Sequence, residues 1–138
     1  MADNKIFTTW QPPMQFNASI DTHTLVMDAG AADGGLDAGA GPKKLMLASL
    51  AGCTGIDIVL ILQKMKVTFS AFRIDVTGTL TDTHPRTYEA VHISYSIHLP
   101  EVDKDKMEKA VTLSMDKYCG VSAMFSKFAT LTHSITFS

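Results

Sequence analysis

The periodicity of the chain changes at Val67, and that change restricts the possible folds more than any other feature. After Pro42, tolerated at a first helical position because its missing N–H has no partner there, helical spacing links Leu45, Met46, Ser49, Leu50, Cys53, Ile56, Asp57 and Leu60. The run Ile58–Leu62 is apolar on every side, as in a helix buried on most faces. From Val67 the period is two. Phe72, Ile74, Val76, Gly78 and Leu80 fall on one face, with Arg73, Asp75, Thr77, Thr79 and Thr81 on the other. A turn at Asp82–Arg86 leads to a second alternating segment, with Val91, Ile93, Tyr95, Ile97 and Leu99 facing inward. One long helix followed by a long hairpin is the spine of an α+β fold with antiparallel sheets.

The flanking segments fit that layout. Lys5–Trp10, Gln15–Ile20 and Thr24–Asp28 read as short strands, broken by Pro12-Pro13 and by Asp21-Thr22-His23. Residues 29–41 hold five of the nine glycines and read as a mobile surface loop. They lack the Gly-Lys-Ser/Thr ending of a phosphate loop. Pro100 stops the hairpin. Asp103 is an N-cap candidate for a helix bearing Met107, Ala110, Val111, Ser114, Met115 and Tyr118 on one side. Cys119-Gly120 is expected to end that helix, Ser122–Phe128 to connect, and Leu131, His133, Ile135 and Phe137 to line a last strand. With 138 residues and no linker or repeat, residues 1–138 are expected to form one domain.

Composition narrows the function classes. A net charge of −2 with both signs dispersed gives no basic footprint for nucleic acid. The longest apolar run is too short to cross a bilayer, and the N-terminus leads into no hydrophobic signal core. A cytoplasmic protein without a membrane partner is therefore expected. In a reducing cytosol, its two cysteines are buried thiols or a redox pair rather than a structural disulfide. The five histidines show no metal-ligand spacing with either cysteine, and CxxC is absent, so no metal ligand set and no cofactor is expected.

Both thiols sit among small residues, in Ala51-Gly52-Cys53-Thr54-Gly55 and Tyr118-Cys119-Gly120-Val121-Ser122. Glycine beside both thiols leaves room for something to approach. Two readings fit Cys53, a core cysteine on an apolar stripe or a reactive thiol. Asp57, one turn on, would raise its pKa, whereas a lysine or a helix N-terminus would lower it. Cys119 reads either as a helix-end residue with Gly120 as a C-terminal cap or as the partner of Cys53.

The run Pro42–Asp57, together with Leu62-Gln63-Lys64-Met65 and Tyr118–Ser122, resembles the OsmC/Ohr family of osmotically induced and organic-hydroperoxide-resistance proteins, in an OsmC-like branch. The resemblance covers nearly the whole chain. It implies antiparallel sheets wrapped around a central buried helix, in an intertwined homodimer with thiol sites at the interface. Cys53 would be the peroxidatic thiol and Cys119 the resolving one, acting on organic hydroperoxides in an oxidative stress response, with an external dithiol as reductant. Two departures stand out. Peroxidase members carry an arginine in the N-terminal strands, whereas no arginine precedes Arg73 here. Their carboxylate near the start of the central helix is replaced by Lys43 and Lys44. The alternative is a non-catalytic OsmC-like module that binds a small apolar ligand at the dimer interface.

Overall fold

The computed structural model describes residues 2–138, in two compact units, Met1–Met46 and Leu47–Ser138. The first unit is an antiparallel meander of β1 (Phe7–Gln11), β2 (Gln15–Ile20) and β3 (His23–Met27), with β2 in the middle. Trp10 Nε1 donates to the Pro13 carbonyl at 3.1 Å and closes the first turn. Asp21, at φ 55°, occupies the left-handed position of the two-residue turn between β2 and β3.

The glycine-rich segment that follows is organised by a residue that periodicity treats as the end of a strand. Asp28 is 4% exposed. Its carboxylate accepts from the backbone N–H groups of Ala29 (2.8 Å), Leu36 (3.1 Å) and Ala38 (3.1 Å). Those donors, the Ala38 N–H foremost, hold its pKa below the ordinary carboxylate value. Gly35 is required where it stands, because a Cβ there would overlap the Ala29 carbonyl.

Most of the long helix α1 (Pro42–Lys64) lies in the second unit, with a sheet of β4 (Ser70–Leu80), β5 (Tyr88–His98) and β6 (Thr130–Phe137). The sheet order is β4-β5-β6, and Val76 faces Ile93 in the antiparallel β4–β5 hairpin. Central β5 buries Val91, Ile93, Tyr95 and Ile97 on one face, as its alternation requires. These residues share a core with Leu50, Ile58 and Leu62 of α1, and with Met107, Ala110 and Val111 of α2 (Lys104–Leu113).

Four expectations need correction. The sheets are not wholly antiparallel, since β6 runs parallel to β5, with Tyr95 opposite Ile135. A parallel neighbour needs a long crossover, and the helical segment between Pro100 and Ala129 supplies it. Nor is α1 buried all round. Only Leu50, Thr54, Ile58 and Leu62, a single i, i+4 stripe, are buried, while Ile56 and Leu60 are 65% and 51% exposed. Counting only the short uninterrupted run also underestimated this helix. By length and composition alone α1 is sufficient to cross a bilayer, with a mean hydropathy of 2.2 over 18 residues. Its buried stripe instead packs into the core shared with β5.

The fourth correction concerns Cys119. The helix does not end there at a glycine cap. After α2 the backbone widens into a π-helical turn, Ser114–Tyr118, in which the Cys119 N–H donates to the Ser114 carbonyl at 2.7 Å. Cys119 is then the extended N-cap of a new short helix, α3 (Gly120–Phe125). Two smaller differences lie at the strand edges. Leu80 is exposed, and so is His133, whose ring meets Tyr95 edge-on with centroids 6.3 Å apart.

Candidate thiol site

Helix α1 presents Cys53 and, one turn later, Asp57 on neighbouring positions of one side. The π-helical turn brings Cys119 to them. The Cys53 sulfur, the Cys119 sulfur and an Asp57 carboxylate oxygen all lie within 4.8 Å of one another. Both cysteines are free thiols, Cys53 half-buried and Cys119 buried at 3% exposure. Burial pushes the Cys119 thiol pKa up, and the Ser122 N–H, donating to its sulfur at 3.3 Å, opposes that rise. The two sequence-expected site residues are thus brought together, with Asp57 as the third member.

Behind this cluster runs a chain of hydroxyls. Ser114 Oγ donates to Asp57 Oδ2 at 3.0 Å. Thr54 Oγ1 lies 2.8 Å from Ser114 Oγ and 2.8 Å from the Tyr95 hydroxyl. A hydroxyl has one proton to give, so the Ser114 donation to Asp57 sets the direction of the whole chain. Ser114 gives its proton to Asp57, Thr54 donates to Ser114, and Tyr95 donates to Thr54. The Met115 sulfur, 3.6 Å from the Tyr95 oxygen, is a weaker competing acceptor. Thr54 and Ser114 are fully buried, and each hydroxyl is satisfied inside the network.

Sequence reasoning placed Ser114 on the apolar side of α2 and gave Thr54 no role. The available signal was a hydroxyl residue on each buried stripe, at a position where an aliphatic side chain would otherwise pack.

On another side, α1 borders an open apolar groove of about 560 Å³, floored by Gly52, Gly55, Ile56 and Val59 and walled by Phe72 and Ile74. A Cβ at Gly52 would meet nothing within 4 Å, whereas one at Gly55 would sit 3.0 Å from Ile74 Cδ1. A second recess, about 120 Å³, is lined by Asp57, Leu60, Ile61, Lys64 and Tyr118. Arg73, the first arginine of the chain, projects from the opposite face of β4 to Phe72 and Ile74. Its Nε donates to the Asp75 carboxylate at 2.9 Å. The histidines lie apart from the cluster. His92 bonds Thr132 and Ser134, and His98 bonds the Ser138 carbonyl.

Residues 33–134 match the OsmC-like protein family. The chain belongs to that family. The Escherichia coli (strain K12) protein YhfA is 28% identical over 116 residues, 84% of each chain. The crystal structure of the OsmC-like protein from Mycoplasma pneumoniae superposes with a TM-score of 0.84 at 16% identity, covering 99% of this chain and 97% of that one. An organic hydroperoxide resistance protein from Elizabethkingia anophelis, crystallised with thiocyanate bound, gives a TM-score of 0.69 at 15% identity, covering 99% of both chains. At these identities the two structures establish the shared OsmC fold.

Proposed function

We propose that this OsmC-like protein reduces organic hydroperoxides through a Cys53/Cys119 couple. The observation that carries the reading is the approach of the two sulfurs to within 4.8 Å of each other and of Asp57. Membership of a family whose fold includes organic hydroperoxide resistance proteins supports it.

The order of events follows from accessibility, because Cys53 is the more exposed of the two thiols. Its thiolate attacks the distal peroxide oxygen, the O–O bond breaks, and an alcohol leaves with the sulfenic acid formed on Cys53. Cys119 then condenses with that sulfenic acid, forming the disulfide and releasing water. An external dithiol restores both thiols by exchange. With Arg73 engaged by Asp75, no arginine serves the thiolate from this chain's own N-terminal strands. Turnover is accordingly slower than in arginine-bearing relatives, because a preorganised donor for the developing charge is lacking.

The functional form is an intertwined homodimer in which residues 1–138 act as one OsmC-like domain. The uncovered apolar positions Ile56 and Leu60 on the thiol-bearing helix support that assembly. A second reading, a non-catalytic module holding a small apolar ligand, is favoured by the apolar groove of about 560 Å³ between α1 and β4.

Hydroperoxide consumption with a dithiol reductant separates the two. Cys53→Ser abolishes turnover, and Cys119→Ser permits one oxidation and then stalls at sulfenic acid. Equal rates for wild type and Cys53→Ser would end the peroxidase reading and leave the binding module.

A further inference from the structure

We propose that the reduced Cys53–Asp57–Cys119 cluster is a binding site for a thiophilic divalent cation of the zinc class. Local spacing along the chain gives no hint of it, since the three ligands come from one helix and from a π-helical turn remote in sequence. The donor set is two sulfurs and one carboxylate oxygen, mutually within 4.8 Å. Zinc takes sulfur at about 2.3 Å and carboxylate oxygen at about 2.0–2.2 Å. Ligand atoms of one tetrahedron therefore lie roughly 3.3–3.8 Å apart, so drawing these three together takes about an ångström of side-chain movement.

Three further observations point the same way. Asp57 has no ion-pair partner among the described residues, Lys64 of the neighbouring recess included, so its carboxylate is open to a cation. Two of the three ligands already have the outer partners that metal ligands use to fix their orientation. Ser114 donates to Asp57 Oδ2, and the Ser122 N–H donates to the Cys119 sulfur. The fourth coordination position has somewhere to open, because the recess of about 120 Å³ lined by Asp57 and Lys64 exceeds the roughly 30 Å³ that one water occupies in the liquid.

On binding, each thiol releases its proton to solvent and the two thiolates and the carboxylate coordinate the cation. The site exists only while both sulfurs are reduced. Its release step rests on the peroxidase reading: a hydroperoxide takes two electrons from the thiolate pair and two protons from solvent, its O–O bond breaks to give an alcohol and water, the S–S bond forms, and the cation departs. Binding itself does not depend on that reading.

The test uses the full chain, reduced by a phosphine under anaerobic conditions and titrated with Zn²⁺ against a chromophoric chelator, then with Co²⁺ by absorption. One equivalent per chain is expected, with thiolate-to-cobalt charge transfer and the d–d bands of a tetrahedral ion. Cys119→Ser and Asp57→Asn each weaken zinc binding by at least the 10–100-fold that loss of an outer partner causes, and Ser114→Ala weakens it by about 10-fold. Thermal melts of the metal-free variants check their folding. In the unaltered chain, bound zinc also slows alkylation of both cysteines. Absence of uptake by the reduced chain overturns the proposal, as does equal affinity in wild type, Cys119→Ser and Asp57→Asn. Zinc binding without hydroperoxide consumption upholds this site and removes the peroxidase reading, and consumption without zinc binding does the reverse.

Discussion

In the unit Leu47–Ser138, β5 and the buried stripe of α1 enclose Tyr95, Ile93, Ile58 and Leu62 with almost no exposure. In the unit Met1–Met46, three strands bury little beyond Ala18 and leave Phe7 and Trp10 at 63% and 61% exposure. The second unit has an apolar core of its own. The first is held by ladder hydrogen bonds and by the Asp28 carboxylate, which gathers the backbone donors of the glycine-rich segment. A short meander with its aromatic side chains in water is marginal alone, and in the proposed homodimer a second subunit would cover that surface. Cys53, Asp57 and Cys119 all belong to the second unit, where packing is dense enough to hold sulfur and carboxylate atoms in place.

The comparison is broken most directly in the core. Ile93→Ala, at a fully buried position, is expected to destabilise the fold by about 2–5 kcal/mol through lost burial and a residual cavity. Denaturant unfolding measures it, and a loss below 1 kcal/mol would remove the claim that this core carries stability. Trp10→Ser is expected to change the intrinsic unfolding free energy by no more than about 0.5 kcal/mol, as for other exposed sites. It should, however, weaken self-association in sedimentation. A wild-type chain that is a stable monomer at micromolar concentration would remove the dimer.

The smallest effect is one of pH and sharpens the role of Asp28. Because folding lowers this carboxylate's pKa, its contribution is complete above the unfolded value of about 3.9. It is lost as pH falls through the lower folded value. Asp28→Asn is therefore less stable than wild type near neutrality, with the gap closing in acid. A gap constant from pH 7 to pH 2 would contradict that assignment.

Much of the second unit was legible because period carries it. The switch at Val67 places the β4–β5 hairpin, and Pro42, ahead of that unit in sequence, opens α1 where expected. What escaped depends on tertiary context. A glycine after Cys119 has the same appearance whether it closes one helix or begins another, and only the π-helical hydrogen bond to Ser114 distinguishes them. Strand β6 alternates identically in a parallel or an antiparallel pair, so its direction follows from the crossover and not from its residues. At the site, the cysteines were conspicuous through their small neighbours, and Asp57 through its place one turn beyond Cys53. Thr54, Ser114 and Tyr95 were concealed, because a buried hydroxyl on an apolar stripe declares its role only when its partner, distant in sequence, comes within 3 Å. The exposed apolar side of α1 was hidden in the same way, since an all-round apolar run does not say which faces its own chain covers.

The claim on which the proposed chemistry depends is that Cys53 and Cys119 act as one couple. Titrating the reduced chain with one equivalent of an organic hydroperoxide and mapping its peptides by mass spectrometry tests that claim. The expected result is loss of two thiols per hydroperoxide consumed and an intrachain Cys53–Cys119 disulfide that a dithiol reverses. Oxidation confined to Cys53, with Cys119 still a free thiol after the hydroperoxide is spent, would contradict it.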